Sequence, residues 1–133
     1  MYLQGARGDE VVNEMDLYDV EAGVTQPFYD SQMDGLICTA LGLTGEAGEF
    51  ADHIKKAAFQ GHPLNKADLL KELGDQLWYL SQGARMLDSS LAEIAQMNIA
   101  KLRLRYPNGR FEAERSLNRA VGINAPTDHQ SGG

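Results

Sequence analysis

Only one cysteine, Cys38, occurs in the 133 residues. An internal disulfide and a cysteine-built metal site are both excluded. Long apolar runs are missing too. None approaches the ~18 residues that a membrane span needs, and no signal-peptide pattern opens the sequence. A reducing, cytoplasmic setting without membrane contact is the expectation. Positive charge is scarce, with 12 Lys and Arg against 19 Asp and Glu and a formal net charge of -7. Nucleic acid as a partner is therefore not expected, because its phosphates call for a basic stripe. A smaller polyanion can still be bound where metal ions stand between it and the acids. Alternating strand patterns are absent as well.

What is present is helical periodicity. Hydrophobic residues make up 43% of the chain, enough for a packed core and too many for a disordered polymer. The length suits one domain. Residues 10 to 24 form a weakly patterned first helix, ended at Gln26-Pro27 because the residue before proline avoids the helical region. Asp30 or Ser31 can cap a second helix. Along it Leu36, Ala40, Leu43, Ala47, Phe50, Ile54 and Ala58 recur at steps of three and four, which is one apolar seam. Gly61 and Pro63 break it. Asn65 caps a third helix, with Asp68 in its first turn and a seam of Leu70, Leu73, Leu77, Leu80, Ala84 and Leu87. Ser90 and Glu93 read as a capping box for a fourth, whose seam is Ala95, Ile99, Leu102 and Tyr106. Pro107, Asn108 and Gly109 stop it, and the pattern weakens beyond Phe111. The class is all-α, an antiparallel four-helix-bundle-like fold. Flexible segments are expected at 1–12 and 120–133, around a domain at 13–119.

Two acid pairs lie on these helices. "GEAGEFADHIKK" carries Glu46 and Glu49, and "KELGDQLWYL" carries Glu72 and Asp75 with the same spacing. Residues three apart share a helix face. Glu46 and Glu49 flank the seam of the second helix, and His53 and Lys56 continue their row. Glu72, Asp75, Tyr79 and Gln82 make a matching row on the third. If the two helices pack antiparallel through their seams, the acidic rows meet. Bare carboxylates that close repel one another, so a cation belongs among them. Oxygen ligands without cysteine point to Mg2+ or Mn2+. The competing reading is two ordinary solvated helix faces. Gly42, Gly45, Gly48 and Gly74 add weight to a built site, since each costs about 1 kcal/mol in a helix interior. They imply either a close ligand or a tight helix crossing. On the fourth helix Asn98, Lys101 and Arg105 present an amide, an ammonium and a guanidinium in one row, which suits phosphate oxygens as well as it suits solvent.

"GLTGEAGEFADHIKK", "KELGDQLWYL" and "MNIAKLRLRYPNGRF" closely resemble the MazG-like nucleotide pyrophosphohydrolases of the all-α NTP pyrophosphatase superfamily. That family's signature is Glu-x-x-Glu, a spacer, then Glu-x-x-Asp, and Glu46, Glu49, Glu72 and Asp75 fill it. The resemblance spans residues 13 to 119. It implies the MazG fold and Mg2+ ions, with Mn2+ a substitute, held by those four acids. It implies cleavage of a nucleoside triphosphate between its α- and β-phosphates, with Lys56, Asn98, Lys101, Arg105 and Tyr106 on the phosphate side. It also implies a homo-oligomer, a dimer or a tetramer. Apolar residues off the seams, Leu69, Trp78, Met97 and Leu104, agree with a second apolar face.

The chemistry fits such a substrate. Metal ions bridge phosphates and lower the pKa of a water, basic groups stabilise the leaving pyrophosphate, and Glu46 or Glu49 takes the proton. No residue is assigned to the base. Phe28, Tyr29, Phe50, Trp78 and Tyr79 are either core or a stacking face, and Asp30 or Asp34 could accept from guanine. The lean is to a purine deoxynucleotide, dGTP or dATP. Alternatives are a dUTPase-like or phosphoribosyl-ATP pyrophosphohydrolase-like member of the superfamily, or a non-catalytic helical interaction module. A ferritin-like di-metal oxidoreductase is disfavoured, since it needs Glu-x-x-His and His53 follows Glu49 by four.

Overall fold

The structure is a computed structural model, and it describes residues 13–111 and 113–120. The expected flexible ends lie outside the described residues, Ala120 excepted, as do residues 10–12 of the expected first helix. Among the described residues the chain is helical and has no strand. Its elements are α1 Glu14–Val24, α2 Gln32–Phe59, α3 Lys66–Met86, α4 Leu91–Arg105 and α5 Ala113–Ala120. None of these helices is long and apolar enough to cross a membrane. Two compact units divide the chain, Met1–Ile94 and Ala95–Gly133.

The caps explain most boundaries. Asn13 accepts from the Met15 N–H at the start of α1, Ser31 from Asp34 N–H at α2, and Asn65 from Ala67 N–H and Asp68 N–H at α3. At α4 the capping box is half made. Ser90 Oγ accepts from Glu93 N–H, but the Glu93 carboxylate takes the Ser89 hydroxyl instead of closing the box. Helix α5 is a finding that apolar periodicity does not announce. Its eight residues hold a single leucine, Leu117, and so form no seam.

In the first unit α2 and α3 run antiparallel. Gly35 meets Met86, Gly42 meets Tyr79, and His53 meets Glu72. Packing through the two leucine seams, the expectation from periodicity, is not what the chain does. The α2 side that faces α3 is the row Gly35, Thr39, Gly42, Glu46 and His53, roughly a third of a turn from the seam. The side of α3 that answers it carries Glu72, Tyr79, Gln82, Gly83 and Met86. Four leucines of the α3 seam stay outside, with Leu70 55%, Leu73 46%, Leu77 40% and Leu80 45% exposed, while Ala84 of the same seam is buried.

Small residues are the reason. A Cβ added at Gly42 would land on the Tyr79 ring, and one at Gly35 would land on the Met86 sulfur. These glycines let the helices approach closely, and leucines at the crossing would hold them apart. The close approach buries polar side chains that satisfy one another. Gln82 is fully buried there. Gln82 donates to Thr39 Oγ1 at 3.0 Å and accepts from the Tyr29 hydroxyl at 3.0 Å. Thr39 in turn donates to the Gly35 carbonyl at 2.8 Å. By contrast Gly45, Gly48 and Gly74 have nothing within 4 Å of an added Cβ, so of the glycines singled out by sequence only Gly42 serves the crossing.

Helix α1 lies against α3 on another side and is tied there by Asp19. One carboxylate oxygen of Asp19 accepts from the Ser81 hydroxyl, and the other accepts from Leu91 N–H at 2.8 Å, so Asp19 also caps α4 from a different helix. Arg85 joins the cluster by donating to the Asp19 carbonyl and to Gln26 Oε1. Trp78 Nε1 donates to Thr25 Oγ1 at 2.7 Å just below.

Candidate functional site

The antiparallel register sets the acids. Tyr79 rests against Gly42, so one turn further along each helix Glu46 of α2 comes opposite Asp75 of α3, with Glu72 beyond it. One oxygen from each of Glu46, Glu72 and Asp75 lies within 4.8 Å of the others. Glu46 and Glu72 are half-buried and Asp75 is exposed. Burial pushes the Glu46 carboxyl above its usual range, and the charges of Asp75, Glu72 and Glu49 push it further. Lys55 and Lys56 pair with Asp52, Lys71 with Asp68 and Arg85 with Asp19, outside the triplet.

Glu49 lies outside this triplet. It is exposed, on the turn after Glu46, and it acts on Glu46 through its charge. His53 continues the same row and reaches across to α3, its Nε2 3.2 Å from Glu72 Oε1. Lys56 pairs with Asp52, which also holds Lys55, and it lies near enough to Glu49 to feel its charge. The hydrogen bonds from those two lysines lower Asp52 to about 2, and Asp52 raises Lys56 in return.

Asn98, Lys101, Arg105 and Tyr106 belong to the second unit. Asn98 and Lys101 are exposed on α4, while the Arg105 guanidinium lies over the Tyr106 ring, 5.8 Å from its centroid. Tyr106 in turn packs on Phe111, with centroids 5.5 Å apart.

The aromatics considered for a base have separate duties. Trp78 and Tyr79 meet edge to face at 5.0 Å, and Tyr29 anchors its hydroxyl on Gln82. Phe28 is 89% exposed. Phe28 and Tyr29 line a cavity of about 740 Å³ with Gln26, Gln32, Arg85 and Met86, at the end of α3 away from the acids. Asp34 is engaged with Ser31 at the α2 cap.

Sequence reasoning missed Tyr18 of the weakly patterned α1. Burial raises its hydroxyl above the usual value. Arg85 opposes that rise, and the charges of Asp19 and Asp75 add to it. No signal in the sequence marks it, because its place near Asp75 depends on how α1 docks.

Hard oxygen donors, three together, with one carboxyl already raised by burial and by the charges of its neighbours, are the donor set that a small divalent cation neutralises. Such a cation would have Glu46, Glu72 and Asp75 as ligands.

Known proteins bear on this arrangement. The family of MazG nucleotide pyrophosphohydrolase domains matches residues 37–110, a span that contains both acid pairs and most of the α2–α3 crossing. The chain is also similar to the Gene 37 protein of Mycobacterium phage L5. The two are 35% identical over 103 residues, which cover 71% of this chain and 90% of that protein. No solved structure matches it.

Proposed function

The chain belongs to the family of MazG nucleotide pyrophosphohydrolase domains, and from that premise we propose that it hydrolyses a deoxynucleoside triphosphate, dGTP or dATP, to the monophosphate and pyrophosphate. The observation that carries this reading is the meeting of Glu46, Glu72 and Asp75 across two helices. Family membership implies nucleotide pyrophosphohydrolase activity. The base, the sugar and the metal are the proposal's own.

Glu46, Glu72 and Asp75 hold Mg2+, or Mn2+ in its place. When bound, the metal screens the phosphate charge and lowers the pKa of a water. The chain's own groups do the rest. The proton released by the attacking water goes to Glu46 or Glu49. Of these, Glu46 belongs to the triplet, and Glu49 stands outside it on the next turn. Lys56 would exchange Asp52 for a phosphate oxygen. Asn98, Lys101, Arg105 and Tyr106 offer the donors that phosphate oxygens take, and phosphate binding is assigned to them. The reading places the protein in the cytoplasm, where nucleotides and Mg2+ are both abundant.

Product analysis tests this directly. The protein is incubated with Mg2+ and each common NTP and dNTP, together with dUTP and phosphoribosyl-ATP. The expected result is monophosphate and pyrophosphate, fastest from dGTP or dATP. Diphosphate with orthophosphate would mean that a different bond is cut and would overturn the proposal. Turnover of dUTP or phosphoribosyl-ATP alone would move the chain to that branch of the superfamily, and no turnover of any would favour a helical interaction module.

The proposal includes a homo-oligomer, at least a dimer, with closed symmetry. Its support is the exposed stripe Leu70, Leu73, Leu77 and Leu80 on α3, with Ile37 and Leu41 exposed on α2. Full burial of a leucine is worth roughly 1.5–3 kcal/mol, so half-exposed rows of them are strongly favoured to pair. Sedimentation at micromolar concentration should give a species at least twice 14.6 kDa. A fully active monomer would refute the assembly.

A further inference from the structure

We propose that His53 is a positioning residue for Glu72, holding one carboxylate oxygen so that the other turns toward Glu46 and Asp75. The inference rests on reading the acidic triplet as a divalent-cation site. His53 and Glu72 come from different helices, yet Nε2 of the ring stands 3.2 Å from Oε1 of the carboxylate. An ionised carboxylate only accepts hydrogen bonds. The ring nitrogen that faces it must therefore carry the proton, and the bond runs from His53 to Glu72.

The need for such a bond follows from the charges around it. Glu72 is repelled by Glu46 and Asp75, whose oxygens lie within 4.8 Å. Left to itself, a flexible glutamate with solvent beside it would rotate away from two like charges. Glu72 is the less exposed partner of the pair, with its side chain 18% exposed against 37% for His53. It is thus held close to two like charges with little water around it. The other strong donors nearby are taken, Lys55 and Lys56 by Asp52. His53 lies on the same α2 face as Glu46, so one helix supplies both a ligand and the donor that fixes the ligand facing it. Partners that orient a ligand in this way typically contribute about 10- to 100-fold to metal affinity.

The test is calorimetric titration of the full chain with Mn2+, without nucleotide, on the wild type and on His53→Leu, His53→Asn, His53→Gln and Glu72→Gln. Glutamine can bring an amide N–H to the place of Nε2. Asparagine is too short to do so, and leucine has no donor. His53→Leu and His53→Asn should each bind Mn2+ at least ~10-fold more weakly, and His53→Gln should recover most of that loss. Circular dichroism and the metal-free melting temperature check that each variant is folded. Wild-type affinity in both His53→Leu and His53→Asn, alongside loss in Glu72→Gln, would overturn the inference and leave the metal reading intact. Equal loss in all three His53 variants would also overturn it, because the ring would then be doing something a donated hydrogen cannot replace. Absence of Mn2+ binding by the wild type, or wild-type binding by Glu72→Gln, would remove the metal reading and the inference together.

Discussion

Replacing Glu46, Glu72 or Asp75 with its amide will lower nucleotide turnover by roughly 10²- to 10⁴-fold while leaving the chain as helical as before. The amides keep the shape of the side chains and delete the charge that a cation needs. Glu93→Gln, on the first turn of α4 and bonded to Ser89, is the control and should retain most activity. Chelation with EDTA should abolish activity in the wild type, and Mg2+ or Mn2+ should restore it.

Stability should move the opposite way. The Glu46 carboxyl has a folded pKa above its ordinary value, because burial and the charges of Asp75, Glu72 and Glu49 resist ionisation. Such a group favours folding below the ordinary carboxylate pKa, and it loses that advantage as pH rises through the raised value. At neutral pH the metal-free cluster therefore opposes folding. Glu46→Gln should melt at a higher temperature than the wild type at pH 7 without metal, and the difference should vanish in acid. Mg2+ should raise the wild-type melting temperature by mass action and leave Glu72→Gln nearly unmoved. Full turnover by the three amide variants, or full wild-type activity in excess EDTA, would show that the cluster is not the site.

The second large effect lies away from the acids. Asp19→Ala should destabilise the chain by roughly 3–5 kcal/mol, the range for removing one partner of a buried ion pair. That is a large share of the 5–15 kcal/mol typical of a folded domain. Asp19 is 12% exposed and faces Arg85, with the nearest carboxylate oxygen 3.9 Å from the guanidinium. Its loss strips Arg85 of its counter-charge when Nη2 of that side chain is already buried without a hydrogen-bond partner. It also leaves the fully buried Ser81 hydroxyl without its acceptor and removes the cap from Leu91 N–H. Urea denaturation measures the cost. Replacing both groups with apolar side chains, Asp19→Leu with Arg85→Met, should recover part of it, since an empty buried charge is worse than none. A loss below ~1 kcal/mol for Asp19→Ala would show that α1 is held by other contacts.

Why Asp19 escaped the sequence reading is physical. A lone aspartate on a weakly patterned helix looks like any solvated acid. Its partners, Ser81, Arg85 and Leu91, are far away in the chain and become neighbours only when α1 docks on α3. The acid pairs were legible because their information is local. Three-residue spacing puts two side chains on one helix face whatever the tertiary structure, and Tyr79 and Gln82 were correctly grouped with Glu72 and Asp75 on one row. The caps at Ser31 and Asn65 were local in the same way.

The sequence by itself thus determined the all-helical class, the limits of α2, α3 and α4, and which acids share a face. Those follow from short-range periodicity, capping and turn chemistry. Only the tertiary structure decided which face of each helix meets the other. Periodicity pointed to the apolar seams, but Gly35, Gly42 and Gly83 allow a closer approach on the neighbouring face. That rotation leaves Leu70, Leu73, Leu77 and Leu80 of α3 at the surface and buries Gln82. It brings Glu46 to Glu72 and Asp75 with Glu49 left outside. It also sets His53 against Glu72, a contact between two helices that no spacing along either one could specify.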